Sequence, residues 1–161
     1  MAEVEWKGII WKAAFGTFSY KELLTILKGY GSMEILSFEK PGHFKGMASI
    51  ALNTGGTRDL TIYYLEVLGP RRAGLGRKAL LELKRIFQGK IFVEDPGEIL
   101  TDEYSIMESI LFWIQMFREG VIDGLDSDLV RLHPGIDEKE MKKLEQTVIS
   151  RMKVLRHEKS S

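Results

Sequence analysis

The chain has no cysteine, which excludes disulfides, thiolate metal sites and a cysteine nucleophile. Histidine is scarce: His43, His133 and His157 are scattered through the chain and do not form a metal cluster, so no metal is expected. Charge of one sign is also lacking. With 23 basic and 23 acidic residues the net charge is zero, and no bulk attraction to nucleic acid is expected. No stretch approaches the roughly 20 uninterrupted apolar residues of a membrane span. The opening MAEVEWKG lacks the basic-then-apolar order of a signal peptide. These absences lead to the expectation of a cytoplasmic protein with neither a membrane nor a nucleic-acid partner. Repeats and low-complexity tracts are missing too, and only His157 to Ser161 reads as a solvated tail. What is present is 161 residues with 44% hydrophobic content, enough to fill one core, so residues 1–161 are expected to form a single domain.

The organising stretch runs from Tyr63 to Asp95, YYLEVLGPRRAGLGRKALLELKRIFQGKIFVED. Alternation through Tyr63, Leu65 and Val67 predicts a strand that Gly69-Pro70 ends. A loop rich in Gly and Arg follows, and Leu80, Leu83, Ile86 and Phe87 then recur at helical spacing. Gly89 stands where a C-cap glycine would, and Ile91-Phe92-Val93 reads as a second strand. The start of a helix leaves backbone N–H groups unpaired, and glycines let an anion approach them. Charge supports this. From Arg71 to Lys90 there are seven bases and one acid, whereas from Glu94 to Asp128 there are ten acids and one base. The basic segment suits phosphates and the acidic one a cation.

In chain order, Val4 to Ala14 reads as one strand with an irregularity at Gly8. Ser19 and Glu22 form a capping box for a helix from about Tyr20 to Lys28, stapled by Phe18 and Leu23 and stopped by Gly29 and Gly31. Met33 to Glu39 and Gly46 to Leu52 read as strands joined by the turn Lys40-Pro41-Gly42-His43, and Asn53 to Thr57 turns into the strand Leu60 to Val67. Short turns make these three an antiparallel meander, and the strand, helix, strand that follows is a parallel βαβ unit. Downstream, Ser105 and Glu108 offer a capping box for a helix whose Ile106, Ile110, Trp113, Ile114 and Phe117 share a face, closed by Gly120. Leu129 to Leu132 reads as a short strand. Asp137 and Glu140 cap a last helix within 134–157, whose Met141, Leu144, Val148, Met152 and Leu155 form one stripe. That stripe reads as core packing or, as the next alternative, a homodimer contact.

At Arg71-x-x-Gly74-x-Gly76, after a strand ending in Val67 and before Ala79-Leu80-Leu81, the chain resembles the acetyl-CoA loop of the GNAT N-acetyltransferase superfamily. The resemblance covers roughly residues 33 to 120. It implies a GNAT-like α/β fold: a mixed sheet with an antiparallel meander followed by a βαβ unit, helices on both faces and, here, an atypical helical C-terminus. Such a protein would normally end in a two-stranded hairpin, of which at least one strand is expected to be replaced or displaced. The resemblance also implies acetyl-CoA as cosubstrate, bound by Arg71, Arg72, Ala73, Gly74, Leu75, Gly76 and Arg77. Backbone amides near Val67 and Leu68 would polarise the thioester carbonyl, and an amine-bearing substrate would attack directly in a ternary complex. The run Phe112-Trp113-Ile114-Gln115 resembles a family segment in which tyrosine protonates the departing thiolate, but Trp113 occupies that position.

Each chemical candidate has a structural alternative. Arg71, Arg72 and Arg77 contact phosphates or merely solvate a turn. Gly74-x-Gly76-x-x-Ala79 also fits a dinucleotide fingerprint with Glu94 or Asp95 as its acid, but Gly69 to Ala73 separates it from its strand and the upstream strands read as antiparallel. Glu66 is the one charge inside the strand Leu60 to Leu68. Read as sharing a face with Ile62 and Tyr64, it would have a raised pKa suited to a general base, or else it pairs at the rim. Tyr104, with Tyr63 and Tyr64 behind it, is a candidate proton donor to the thiolate. Glu94, Asp95, Glu98, Asp102 and Glu103 either hold an amine or keep a loop solvated. The expected function is acetyl transfer to a primary amine. The alternative is a non-catalytic CoA-binding or protein-interaction module.

Overall fold

The structure, a computed structural model, describes residues 2–30, 34–70, 73–97 and 100–160. It is α/β, with four helices and eight strands of a mixed sheet in which successive strands are hydrogen-bonded neighbours. The chain divides into two compact units, Met1–Phe92 and Val93–Ser161.

The first unit opens with β1 (Val4–Trp6) and β2 (Ile9–Ala13), an antiparallel hairpin in which Val4 faces Trp11. The expected single strand is thus two. Lys7 and Gly8 both have positive φ, 55° and 79°, the backbone of a tight two-residue hairpin turn. Helix α1 (Tyr20–Leu27) starts as expected. The Glu22 N–H donates to Ser19 Oγ at 3.1 Å and the Ser19 N–H to Glu22 Oε1 at 3.2 Å, a box worth about 1 kcal/mol. It buries Leu23, Ile26 and Leu27, and Gly29 follows at φ 87°. The expected contributions of Gly31 and Met33 fall outside the described residues.

Three strands form the meander: β3 (Leu36–Lys40), β4 (Phe44–Leu52) and β5 (Arg58–Val67), each antiparallel to the one before. Directly opposed residues share a face. The register therefore puts Val4, Trp11, Phe38 and Phe44 together with Leu60 and Ile62 on one buried face. Its rings are in contact, Trp11 with Phe38 at 5.4 Å and Phe38 with Phe44 at 6.1 Å.

Helix α2 (Leu75–Phe87) covers this face, burying Ala79, Leu80, Leu83, Ile86 and Phe87. The Phe87 ring meets Trp11 edge-on at 5.6 Å. Arg58 ties the layers together, its guanidinium lying 5.1 Å from the Trp6 ring and 5.6 Å from Phe87 while it donates to the Leu27 carbonyl at 3.0 Å. Strand β6 (Gln88–Glu94) follows α2 without a break. The left-handed residue that ends the helix is Gln88, φ 61°, and not Gly89. Gly89 serves close approach instead, since a Cβ there would stand 2.1 Å from the Arg58 carbonyl oxygen. Lys90 N–H donates to Asp59 Oδ1 at 2.8 Å, so β6 begins beside the beginning of β5 and the two run parallel.

In the second unit the end of β6 leads to Asp95, whose N–H donates to the Asp126 carbonyl at 2.8 Å. Helix α3 (Glu103–Arg118) starts two residues before Ser105. Its cap is Asp102, and Ser105 is a helical residue that donates through its N–H and its hydroxyl to Asp102 Oδ2. Met107, Ile110, Trp113, Ile114 and Met116 are its buried residues. Strands β7 (Gly124–Asp126) and β8 (Arg131–Leu132) form an antiparallel hairpin with Leu125 facing Leu132. Where one short strand, Leu129 to Leu132, was expected, two are found, and the second is confined to Arg131–Leu132. They are short and lie close to α3, so no alternating pattern announces them. Helix α4 (Glu138–Ser160) begins where Asp137 accepts from the Lys139 N–H at 2.8 Å, and it packs on α3 with Met141, Val148, Met152 and Leu155 buried. Among the described residues no helix is long and apolar enough to cross a membrane.

Candidate functional site

The end of β5 is shaped by its register. Ala48 faces Ile62 but Met47 faces Tyr64, so one extra residue, Tyr63, is accommodated in β5 as a bulge. Met47 and Ala48 point to opposite faces, and so do Ile62 and Tyr64. The core face of β5 thus continues from Leu60 and Ile62 to Leu65 and Val67, while Tyr64 and Glu66 turn to the other face. Glu66 shares its face with Tyr64, as expected, but not with Ile62.

On that second face the Tyr64 hydroxyl donates to Glu66 Oε2 at 2.6 Å, and Lys45 Nζ lies 3.4 Å from the same oxygen. Tyr63 Oη is 3.1 Å from Ser49 Oγ. The expectation of a raised Glu66 pKa is reversed. The Tyr64 hydrogen bond, aided by Lys45, holds the carboxyl below its usual range because both partners favour the charged form. The Tyr64 phenol is pushed up to about 12, first by burial and then by its bond to Glu66 and that group's charge. Glu66 is therefore a fixed anion, and Tyr64 keeps its proton. Neither Lys45 nor Ser49 was singled out from sequence, because cross-strand neighbours become visible only once the register is known.

Val67 and Leu68 differ in their amides. Leu68 N–H donates to the His43 carbonyl at 2.8 Å, which removes it as a donor to a thioester oxygen in this structure. The same bond makes Val67 and Phe44 a non-hydrogen-bonded pair, in which the Val67 N–H turns away from β4. Downstream, Ala73 and Gly74 are exposed, and Gly74 is the N-cap of α2 with φ 71° and ψ 19°. A Cβ there would meet nothing within 4 Å. Among the described residues no side chain caps this helix and its first turn carries no acid, so the amides of Leu75 and Gly76 lie at a positive helix end. Arg71 and Arg72 lie outside the described residues. The separation of this turn from β5 and the antiparallel order of β1 to β5 are unlike the dinucleotide-binding arrangement.

The remaining candidates lie in the second unit. Tyr104, in the first turn of α3, accepts a hydrogen bond from Arg156 Nε at 2.7 Å, and the guanidinium lies 5.4 Å from its ring. Glu103 beside it pairs with Arg151 at 2.7 Å, which places this acid in an α3–α4 contact. Asp102 is spent on capping. Glu98 lies outside the described residues. Trp113 is 3% exposed, an indole in the core of the unit. Asp95, in contrast, helps line a cavity of about 410 Å³ with Pro96, Leu100, Ile106 and Ile110 and with the loop Ser127 to Leu129. Of that loop the sequence marked Asp128, the last acid of the acidic segment, and Leu129, the start of an expected strand, but not that they border a cavity.

No family model, curated protein or solved structure matches the chain.

Proposed function

We propose that the chain is an acetyl-CoA-dependent N-acetyltransferase of GNAT type, acting on a primary amine in a ternary complex. One arrangement carries this reading. A bulged strand ends with the Val67 N–H turned away from its antiparallel neighbour, and a left-handed glycine then opens a helix with no acid in its first turn. The helix end suits pyrophosphate, and the Val67 amide suits the thioester oxygen as charge develops on it. The bulge bends β5 at the point where a pantetheine arm would have to enter. In the reaction the ammonium first loses a proton, and the amine nitrogen then attacks the carbonyl carbon. The C–N bond forms, the C–S bond breaks, the nitrogen loses its second proton and the thiolate takes one up to leave as CoA thiol. Glu66, held ionised, attracts the ammonium by charge, and water accepts its proton. The setting that supplies acetyl-CoA to such an enzyme is the cytoplasm.

Calorimetry with acetyl-CoA tests the reading on the wild type and on Gly76→Glu, whose carboxylate would stand at the helix end. Binding that the variant loses, with its melting temperature unchanged, is the expected result. A folded wild type that does not bind acetyl-CoA would remove the proposal. The second reading, a non-catalytic CoA-binding module, is favoured by the buried Trp113 where the resemblance calls for an acidic tyrosine. It predicts acetyl-CoA binding with no release of free CoA thiol against any amine.

A further inference from the structure

The cavity of the Val93–Ser161 unit lies beyond the C-terminal end of β6, the end of a parallel strand at which α/β sheets bind ligands. Its volume of about 410 Å³ falls in the range of small-molecule pockets, roughly 300–1,000 Å³. Ile106 and Ile110, one turn apart on α3, and Leu100 make much of its lining apolar. Leu129, also at the cavity, is 54% exposed, an apolar contact left in water. Among the described residues two with acidic side chains line it, Asp95 from the loop after β6 and Asp128 from the turn between β7 and β8, and none of the lining is lysine, arginine or histidine. Ser127 is not a recognition group, because its hydroxyl donates to the Val130 carbonyl at 2.8 Å and accepts from the Val130 N–H at 3.0 Å.

We propose that this cavity binds a primary ammonium on an apolar stem, of arylalkylamine or short alkylamine type. The stem packs against Ile106, Ile110 and Leu129, and Asp95 and Asp128 attract the charge. An anionic ligand would be repelled by both carboxylates, and a neutral apolar one would leave them without a counter-charge. A polyamine would place its further charges against the isoleucine wall, where each would be desolvated without a partner. Binding of the amine stands by itself, independently of the proposed acetyl transfer.

Ligand-observed NMR on the full chain tests this with 2-phenylethylamine and its neutral counterpart 2-phenylethanol. The amine should bind roughly tenfold or more tightly than the alcohol, since a charge-assisted contact contributes at least about one factor of ten. Asp95→Asn/Asp128→Asn should remove that preference and keep the alcohol's affinity. Asparagine tolerates the φ of 43° at position 95, so the fold is retained. Leu129→Lys, at an exposed site, should weaken the amine by a similar factor with no change in melting temperature. Equal binding of amine and alcohol, an amine affinity indifferent to the Asn variant, or no binding of either probe would overturn the proposal. Acetyl-CoA binding without amine binding sinks the cavity assignment alone. Amine binding without acetyl-CoA binding keeps the cavity and removes acetyl transfer.

Discussion

The two units reach order by different routes. Met1–Phe92 is built on the antiparallel strands β1 to β5, whose buried face is a continuous aromatic layer, Trp11, Phe38 and Phe44, capped by Phe87 from α2. Val93–Ser161 rests on two helices, α3 and α4, that share a stripe of single buried side chains and carry ion pairs along the rim: Arg151 with Glu103, and Arg118 with Glu138 and Glu145. In the first unit the rings meet in a chain, Phe44 to Phe38 to Trp11 to Phe87, and little can collapse into a gap. In the second, unbranched methionines such as Met141 and Met152 can be replaced with some adjustment. Density of contact, and not the share of helix or strand, should therefore decide how each unit answers to substitution.

The largest expected effect is at Trp11, 0% exposed. Trp11→Ala should cost about 3–5 kcal/mol in urea denaturation, while Met152→Ala in α4 should cost less, about 2–3 kcal/mol. A Met152 variant as damaging as the Trp11 variant would break the contrast. Next is Tyr64→Phe, which removes the main cause of the lowered Glu66 pKa. A carboxyl with a depressed folded value stabilises the protein above its unfolded value, and that contribution disappears as pH falls through the folded one. The variant should therefore lose less stability than wild type on acidification. At the alkaline end, the raised Tyr64 value means that wild type alone should lose stability between pH 10.0 and about 12. Denaturant midpoints measured across pH check both limbs. Smallest is Arg151→Ala, which removes an exposed bidentate pair. It should lower the melting temperature slightly at low salt and not at high salt, because exposed pairs are weak and screened. An effect that persists in high salt would mean that packing by the arginine stem matters more than its charge.

What the sequence reveals follows the same division. In the first unit the turn chemistry of Lys40 to His43 and Asn53 to Thr57, the Ser19 box and the stripe of α2 are local, and all are found in place. One failure there is local, the Lys7-Gly8 turn inside the expected strand Val4 to Ala14, and the others concern geometry between segments. Gly89 was misjudged as a helix cap because the Arg58 carbonyl that needs its bare Cα is 31 residues away. In the second unit, Asp102 was passed over for Ser105 because both are good caps, and the helix takes the earlier one. Strands β7 and β8, three and two residues long, are too short to show alternation. Of the candidate site, the glycine turn and the end of β5 were legible as motif and strand. The partners of Glu66 and the cavity were not, since both depend on residues distant in sequence.

The bulge at Tyr63 acts on β5 much as an inserted base acts on a reading frame. Upstream, even-numbered residues Leu60 and Ile62 face inward; downstream, the odd-numbered Leu65 and Val67 do. Deleting Tyr63 alone would restore a single phase. Tyr64 would then follow Ile62 directly, and it and Glu66 would keep their face, whereas regular pairing of Tyr63 in place of the bulge would carry both inward; whether this one residue is paired thus determines which message the end of the strand presents to water.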